Sequence, residues 1–180
     1  MTEEARKAWG RVVRWLEENA PKNAAALSSP ASQAEVIAAQ DAIGVVFPQE
    51  LRDWLMINNG VRAADSEMSR AHAHDNGCFL DSGWHLLSTE LIVKVHERQM
   101  PSPLESPEDS PWQRGWIPFA AEADWMYGYF IDSNDGTVGS WGDYGEVEFS
   151  KFSSLSAFFA QILNDMQTIR TVTDGCLDWD

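Results

Sequence analysis

His72, His74, Asp75, Cys78 and His85 come closest, by type and spacing, to residues that do metal chemistry. Two imidazoles two positions apart with a thiol nearby could bind zinc, but a closed structural site needs four ligands. Cys78 and His85 follow at no recognised ligand spacing, so the segment reads as an exposed polar loop and no metal is expected. Asp132-Ser133-Asn134-Asp135-Gly136 has the oxygen ligands of a calcium loop. Its glycine comes one residue early, and the twelfth position falls on Asp143 rather than Glu. The same residues suit a hairpin turn whose side chains bond the backbone. The chain has no phosphate-binding glycine loop, dinucleotide glycine set, Gly-x-Ser-x-Gly elbow or zinc-deaminase pattern. Carboxylates are plentiful, but nothing selects a catalytic pair. The expectation is a protein that is not an enzyme and needs no cofactor.

Charge points to binding instead. The 180 residues hold 13 Lys plus Arg against 28 Asp plus Glu, a net charge of −15. Such a balance disfavours direct contact with nucleic acid or an anionic membrane and favours a basic partner, or serves solubility alone. The acid is unevenly placed. Residues 101–148 hold ten acidic residues and one base, Arg114, whereas the first hundred hold fourteen acids and ten bases. The acid-rich stretch is also aromatic. Trp125, Trp141 and Tyr144 sit at turns beside Asp124, Asp143 and Glu146. Exposed Trp and Tyr are favoured interface anchors, and acids steer a basic partner toward its site. These six residues form the candidate partner-binding face. The competing reading puts the aromatics in the core.

The elements that must position this face follow from periodicity. Trp9, Val12, Val13 and Leu16 recur at helical spacing behind Thr2-Glu3-Glu4, and Pro21 stops that helix. A soft linker is expected from Asn23 to Ser29. Ser32 and Glu35 have the spacing of a capping box, opening a helix with Val36, Ile37, Ala39 and Ile43 inward and Gly44 as its stop. Val45-Val46-Phe47 reads as a short buried connector. Pro48 opens a third helix with Leu51, Trp54 and Leu55 inward, closed by Asn59-Gly60. Residues 61–78 read as a loop. Short strands are expected at Phe79-Leu80 and from Trp84 to Leu87, then a helix capped by Ser88 or Thr89. The prolines and acids near 100–113 read as a flexible insertion.

Strands follow at Trp116 to Ala120, with Pro118 marking an edge or bulge, and at Tyr127 to Ile131, Thr137 to Trp141 and Glu146 to Phe149. A last helix carries Leu155, Phe158, Phe159, Ile162, Leu163 and Met166 inward, and residues past about Arg170 read as a loose tail. Runs of helices and then strands predict an α+β domain over 1–170, with an antiparallel meander packed by amino-terminal helices and a carboxy-terminal helix, and a tail over 171–180. Cys78 and Cys176 lie far apart in no paired motif, the start shows no signal peptide, and no apolar run suits a membrane span. A cytoplasmic location is therefore expected.

Several of these pieces, in order, resemble one family. Ala34-Glu35-Val36-Ile37 through Ile43-Gly44, then Phe47-Pro48-Gln49-Glu50-Leu51-Arg52 and Asn58-Asn59-Gly60, resemble the amino-terminal signature of the SUKH superfamily, which includes the Smi/Knr proteins. Trp84-His85-Leu86-Leu87-Ser88, Trp116-Ile117-Pro118-Phe119-Ala120, Tyr129-Phe130-Ile131-Asp132 and Phe152 to Leu163 match its later segments, so the likeness spans roughly residues 9–166. One departure lies at Ala123-Asp124-Trp125-Met126-Tyr127, where the family's acidic turn usually contains glycine and this chain has Gly128 displaced. The resemblance implies a SUKH-like single domain with no catalytic residues to carry over. It implies an immunity protein that neutralises a toxin domain such as a nuclease or deaminase by direct binding, or a regulatory adaptor without a toxin partner. The expected state is a monomer or weak dimer.

Overall fold

The computed structural model describes residues 3–62, 76–80, 84–101, 112–142, 145–168 and 170–178. The amino-terminal stripe folds as α1 (Glu3–Asn19), which buries Trp9, Val12 and Leu16. Pro21 does more than end it. It occupies the first turn of a short α2 (Pro21–Ala26), where its missing N–H removes no helical bond, so most of the expected linker is helical. The Ser32–Glu35 capping box forms, with Ser32 N donating to the Glu35 carboxylate at 2.7 Å and Glu35 N donating to Ser32 Oγ at 3.2 Å. It opens α3 (Gln33–Ile43), which Gly44 ends at φ 67°. Ile37 points outward at 45% exposure, and in the next segment only Phe47 is buried while Val46 is 72% exposed. Both differ from the sequence expectation, because the inward face of α3 is the narrow row Val36, Ala39, Ile43.

Helix α4 (Gln49–Leu55) starts one residue after Pro48 and ends before Asn59-Gly60. Gly60 is instead required by a close approach. At φ 70° its Cα faces the backbone of Leu86, Leu87 and Ser88, and an added Cβ would lie 2.6 Å from Leu87 C. β1 (Trp84–Leu86) leads to α5 (Thr89–Gln99), capped by Ser88 Oγ accepting from Leu91 N. Phe79-Leu80 is not a strand; Cys78 forms an isolated bridge with His85. The meander is β2 (Trp116–Glu122), β3 (Gly128–Asp132), β4 (Val138–Trp141) and β5 (Val147–Phe152), making an antiparallel sheet in the order β1-β2-β3-β4-β5. Pro118 sits at a bulge in the β2–β3 register, on a strand that is paired on both sides. The α+β class and the closing helix α6 (Leu155–Thr168) follow the sequence reading.

Both sheet faces are covered. Register places Tyr129 and Ile131 on one face and Phe130 on the other. Helix α6 covers the first, with Phe158 5.1 Å from Phe119 and 5.0 Å from Tyr129 between ring centroids. Behind it, Phe159 packs with Trp9 of α1 and Trp54 of α4 at 4.8 and 5.6 Å. On the second face Trp116 stacks on Phe130 at 4.4 Å, and Trp112 packs edge-on against both. His96 of α5 meets Trp112 and donates from Nε2 to the Arg114 carbonyl at 2.9 Å.

Residues past Arg170 are not a loose tail. β6 (Thr171–Thr173) and β7 (Cys176–Asp178) form a hairpin, and Leu177 is 5% exposed. Buried Asn23 of α2 holds it, accepting from Leu177 N at 2.8 Å while donating to the Asn76 carbonyl at 2.8 Å. A polar side chain with two backbone partners is satisfied in the core, which no local pattern announces. The expected insertion falls largely on residues 102–111, outside the described residues.

Candidate functional site

The β2–β3 turn begins the candidate face. Trp125 N donates to Glu122 O at 3.1 Å, and Met126 N donates to the Asp124 carboxylate at 3.0 Å. Trp125 takes φ 64° at the tip of this turn. Its carbonyl accepts from Gln99 Nε2 at 2.7 Å and from Trp141 Nε1 at 3.3 Å. The Arg98 guanidinium lies 5.9 Å from the centre of its ring. Trp125 is therefore a half-buried strut joining the turn to α5 and β4.

Trp141 departs from its expected role as an exposed anchor. It is 5% exposed and packs edge-on against Trp112 at 5.3 Å. Its ring lies over Gly128, where an added Cβ would be 2.1 Å away. The sequence places an aromatic beside acids; the empty glycine face across the β3–β4 register draws that aromatic inward. Asp143 and Tyr144 lie outside the described residues. Asp124 and Glu146 are exposed, as are Tyr127 at 40% and Met126 at 40%.

Tyr127 and Glu146 border a cleft of about 320 Å³ at one end of the sheet. Its walls are Trp84, Tyr127, Tyr129, Trp141 and Gly142, with Glu146, Glu148 and Lys151 among the polar groups. Trp84 and Tyr129 pack at 4.8 Å between centroids. Lys151 Nζ lies 2.7 Å from the Glu148 carboxylate and 5.8 Å from the centre of the Tyr129 ring. Trp84, Tyr129, Glu148 and Lys151 were not among the residues expected from sequence. Alternation places Tyr129 and Glu148 on one face with Ser140, but Trp84 comes from β1, across β2, without a local signal.

One carboxyl near this cleft has a shifted proton affinity. Glu122 is pushed up to about 7, first by burial and then by its hydrogen bond to Asp124 and that neighbour's charge. A folded-state value above the unfolded one means that the folded chain holds this proton more tightly. The stabilisation is fully present below about pH 4.5 and is lost as pH rises through about 7. Because the carboxyl is partly exposed, solvent screening reduces the effect to about 1 kcal/mol. Glu122→Gln keeps a donor toward Asp124 at every pH. Urea midpoints at pH 5 and pH 8 are expected to fall closer together in the variant than in the parent chain. Identical pH dependence in the two proteins would remove the shared proton. The comparison cancels His96, whose affinity burial lowers in both.

Cys78 and His85 are brought together, with Sγ 3.0 Å from Nε2 and both residues buried. That is a thiol–imidazole contact inside the core. His72, His74 and Asp75 lie outside the described residues. Among the described residues, no group of three or more His, Cys, Asp or Glu is placed to hold a metal ion. The carboxylates of the Asp132 turn are engaged with its own chain. Asp132 accepts from Asn134 N and Asp135 from Thr137 N, at 2.8 and 2.9 Å. Among the described residues, no helix is long and apolar enough to cross a membrane.

An α+β domain with a five-stranded meander, helices on both faces and an acidic, aromatic cleft at one sheet end is what the geometry defines. A family model described as SMI1 / KNR4 family (SUKH-1) matches residues 30–161. The chain belongs to this family, and so to the SUKH superfamily that its ordered segments resemble. A search of the curated proteins gives no match.

Proposed function

We propose that the chain is a non-catalytic protein-binding domain whose acidic, aromatic cleft docks a basic partner. The partner is a toxin domain, which the chain neutralises by covering its cationic surface. The observation that carries this reading is Lys151. Its ammonium sits between the Glu148 carboxylate and the face of Tyr129, so the cleft already accommodates one cation. Aromatic faces and carboxylates together suit Lys and Arg side chains, through ring quadrupole and charge. Glu146 on the rim and the exposed Asp124 of the β2–β3 turn add attraction at longer range, and Tyr127 offers an exposed aromatic contact.

The test uses the partner captured from extract of the native cell, purified and identified. Association is expected to slow steeply as salt rises, because exposed charges are screened. A Glu146→Lys, Glu148→Lys double variant should weaken binding by about tenfold or more with little change in melting temperature, since both side chains are exposed. The captured protein should be a toxin whose activity falls as the chain is added. Affinity indifferent to salt and to both charge reversals would sink the cleft as the docking surface. A salt-sensitive partner with no toxic activity would replace the immunity role with that of a regulatory adaptor.

A further inference from the structure

Lys151 reaches the cleft only because β5 is irregular. Across the β4–β5 ladder Ser140 pairs with Glu148 and Val138 with Phe152, so Gly139 of β4 spans residues 149–151 of β5. The surplus makes a bulge, and Ser150 within it takes φ 49°, a left-handed conformation that residues other than glycine seldom adopt. The bulge changes which face its residues serve. Phe149 meets Trp116 on the Phe130 side of the sheet, at 5.3 Å between centroids. Two positions on, Lys151 lies on the Tyr129 side instead. Phe152, its neighbour in the chain, also reaches Tyr129, at 6.2 Å. Consecutive side chains of a regular strand point to opposite faces, so the bulge is what lets both serve one face. Backbone strain of this kind clusters where a side chain must be aimed for function.

The aimed group is a cation in an acidic, aromatic cleft. Among the described lining residues Lys151 is the one positive charge. Its Nζ lies 2.7 Å from the Glu148 carboxylate and 5.8 Å from the centre of the Tyr129 ring. Tyr129, Ser140 and Glu148 pair in one row across β3, β4 and β5, so the ring and the carboxylate stand on the sheet itself. The lysine arrives on a flexible stem. Its side chain is 35% exposed and that of Glu148 is 59% exposed, and ion pairs open to solvent contribute little. A better-fitting cation can therefore take its place. A second ammonium would only exchange like for like against a tethered competitor. A guanidinium stacks flat on an aromatic ring and pairs with a carboxylate through two N–H groups.

We propose that Lys151 is a built-in stand-in for the partner: in the free chain it occupies the Tyr129–Glu148 position, and an arginine side chain of the partner displaces it and takes over both contacts. The inference rests on the cleft being the docking surface. It adds that affinity is set by competition within the chain, and that the competition selects arginine over lysine.

The probe is a fluorescein-labelled peptide of alternating Arg and Gly, titrated with the whole chain and read by anisotropy, beside a Lys–Gly peptide of the same length. The parent chain should bind the Arg peptide more tightly than the Lys peptide. Lys151→Met keeps the apolar stem and removes the charge. It should tighten the Arg peptide by about threefold or more, with little change in melting temperature. Lys94→Met removes the same charge from an exposed site on α5 outside the cleft lining, and should gain less than half as much. The ε-methylene protons of Lys151, which lie in the field of the Tyr129 ring in the free chain, should move to solvated-lysine shifts as the Arg peptide saturates. Binding that the Glu146→Lys, Glu148→Lys double variant abolishes, yet that is no tighter in Lys151→Met than in Lys94→Met, would keep the cleft and overturn the stand-in. Equal affinity for the two peptides, or Lys151 shifts that stay put at saturation, would overturn it as well. No binding by either the parent or Lys151→Met would remove the cleft reading and the stand-in together.

Discussion

Phe158→Ala is expected to lower the unfolding free energy by about 3–5 kcal/mol, the range for truncating a large buried aromatic. The side chain is fully buried, and its ring centre lies 5.1, 5.0, 5.4 and 5.6 Å from those of Phe119, Tyr129, Phe152 and Phe159. It is the point where α6, β2, β3 and β5 meet. Removing it leaves a cavity that four aromatic neighbours cannot close without losing their own edge-on contacts. For a chain of this size each kcal/mol moves the midpoint by roughly 2–4 °C, so a fall of roughly 6–20 °C is expected. Phe158→Leu, which keeps most of the volume, should cost less than half as much. Urea unfolding followed by tryptophan fluorescence measures both. A loss below about 1 kcal/mol for the alanine variant would contradict this packing. Tyr129 belongs to both this cluster and the cleft, so the alanine variant should also soften the cleft floor.

Gly128→Val should cost about 2–3 kcal/mol by overpacking. The new Cβ would stand 2.1 and 2.3 Å from atoms of the Trp141 ring and 2.5 Å from the Ala120 carbonyl oxygen. The backbone oxygen belongs to a paired strand and cannot move far, so Trp141 must leave. Its indole then loses Trp112 and also the carbonyl of Trp125, the contact that ties β4 to the β2–β3 turn. The near-ultraviolet circular dichroism should change along with the stability. Binding of a basic partner should weaken about tenfold, because Trp141 and Tyr127 line the same cleft. Gly10→Ala is the control; its Cβ meets open space, and stability should hold or rise. Unchanged near-ultraviolet dichroism in Gly128→Val would mean that Trp141 does not rest on this glycine.

Much of the scaffold was legible from the chain alone. The Ser32–Glu35 box, the stripe of α1, the Gly44 stop, the Asp132–Gly136 turn and the apolar row of α6 all appear where local rules put them. The ordered segments also carried the family. Other local readings missed. Pro21 starts a helix as well as following one, Val46 is apolar yet exposed, and the residues past Arg170 pair as a hairpin. For the hairpin, the contact that holds it to the domain is distant in sequence. Asn23 and Leu177 illustrate it, since neither segment contains a sign of the other.

The candidate face divides in the same way. Composition by itself determined that the stretch from 101 to 148 is acidic and aromatic, because charge and ring content do not depend on folding. It also determined the alternation that sets Tyr129 and Phe130 on opposite faces, because the pleat has a period of two. Only the tertiary structure decided which aromatics turn inward. Trp141 is buried because Gly128 lies across the ladder from it, and Trp84 reaches Tyr129 because β1 pairs beyond β2. Burial is a property of neighbours brought together by folding, whereas capping, turns and periodicity act within a few residues along the chain.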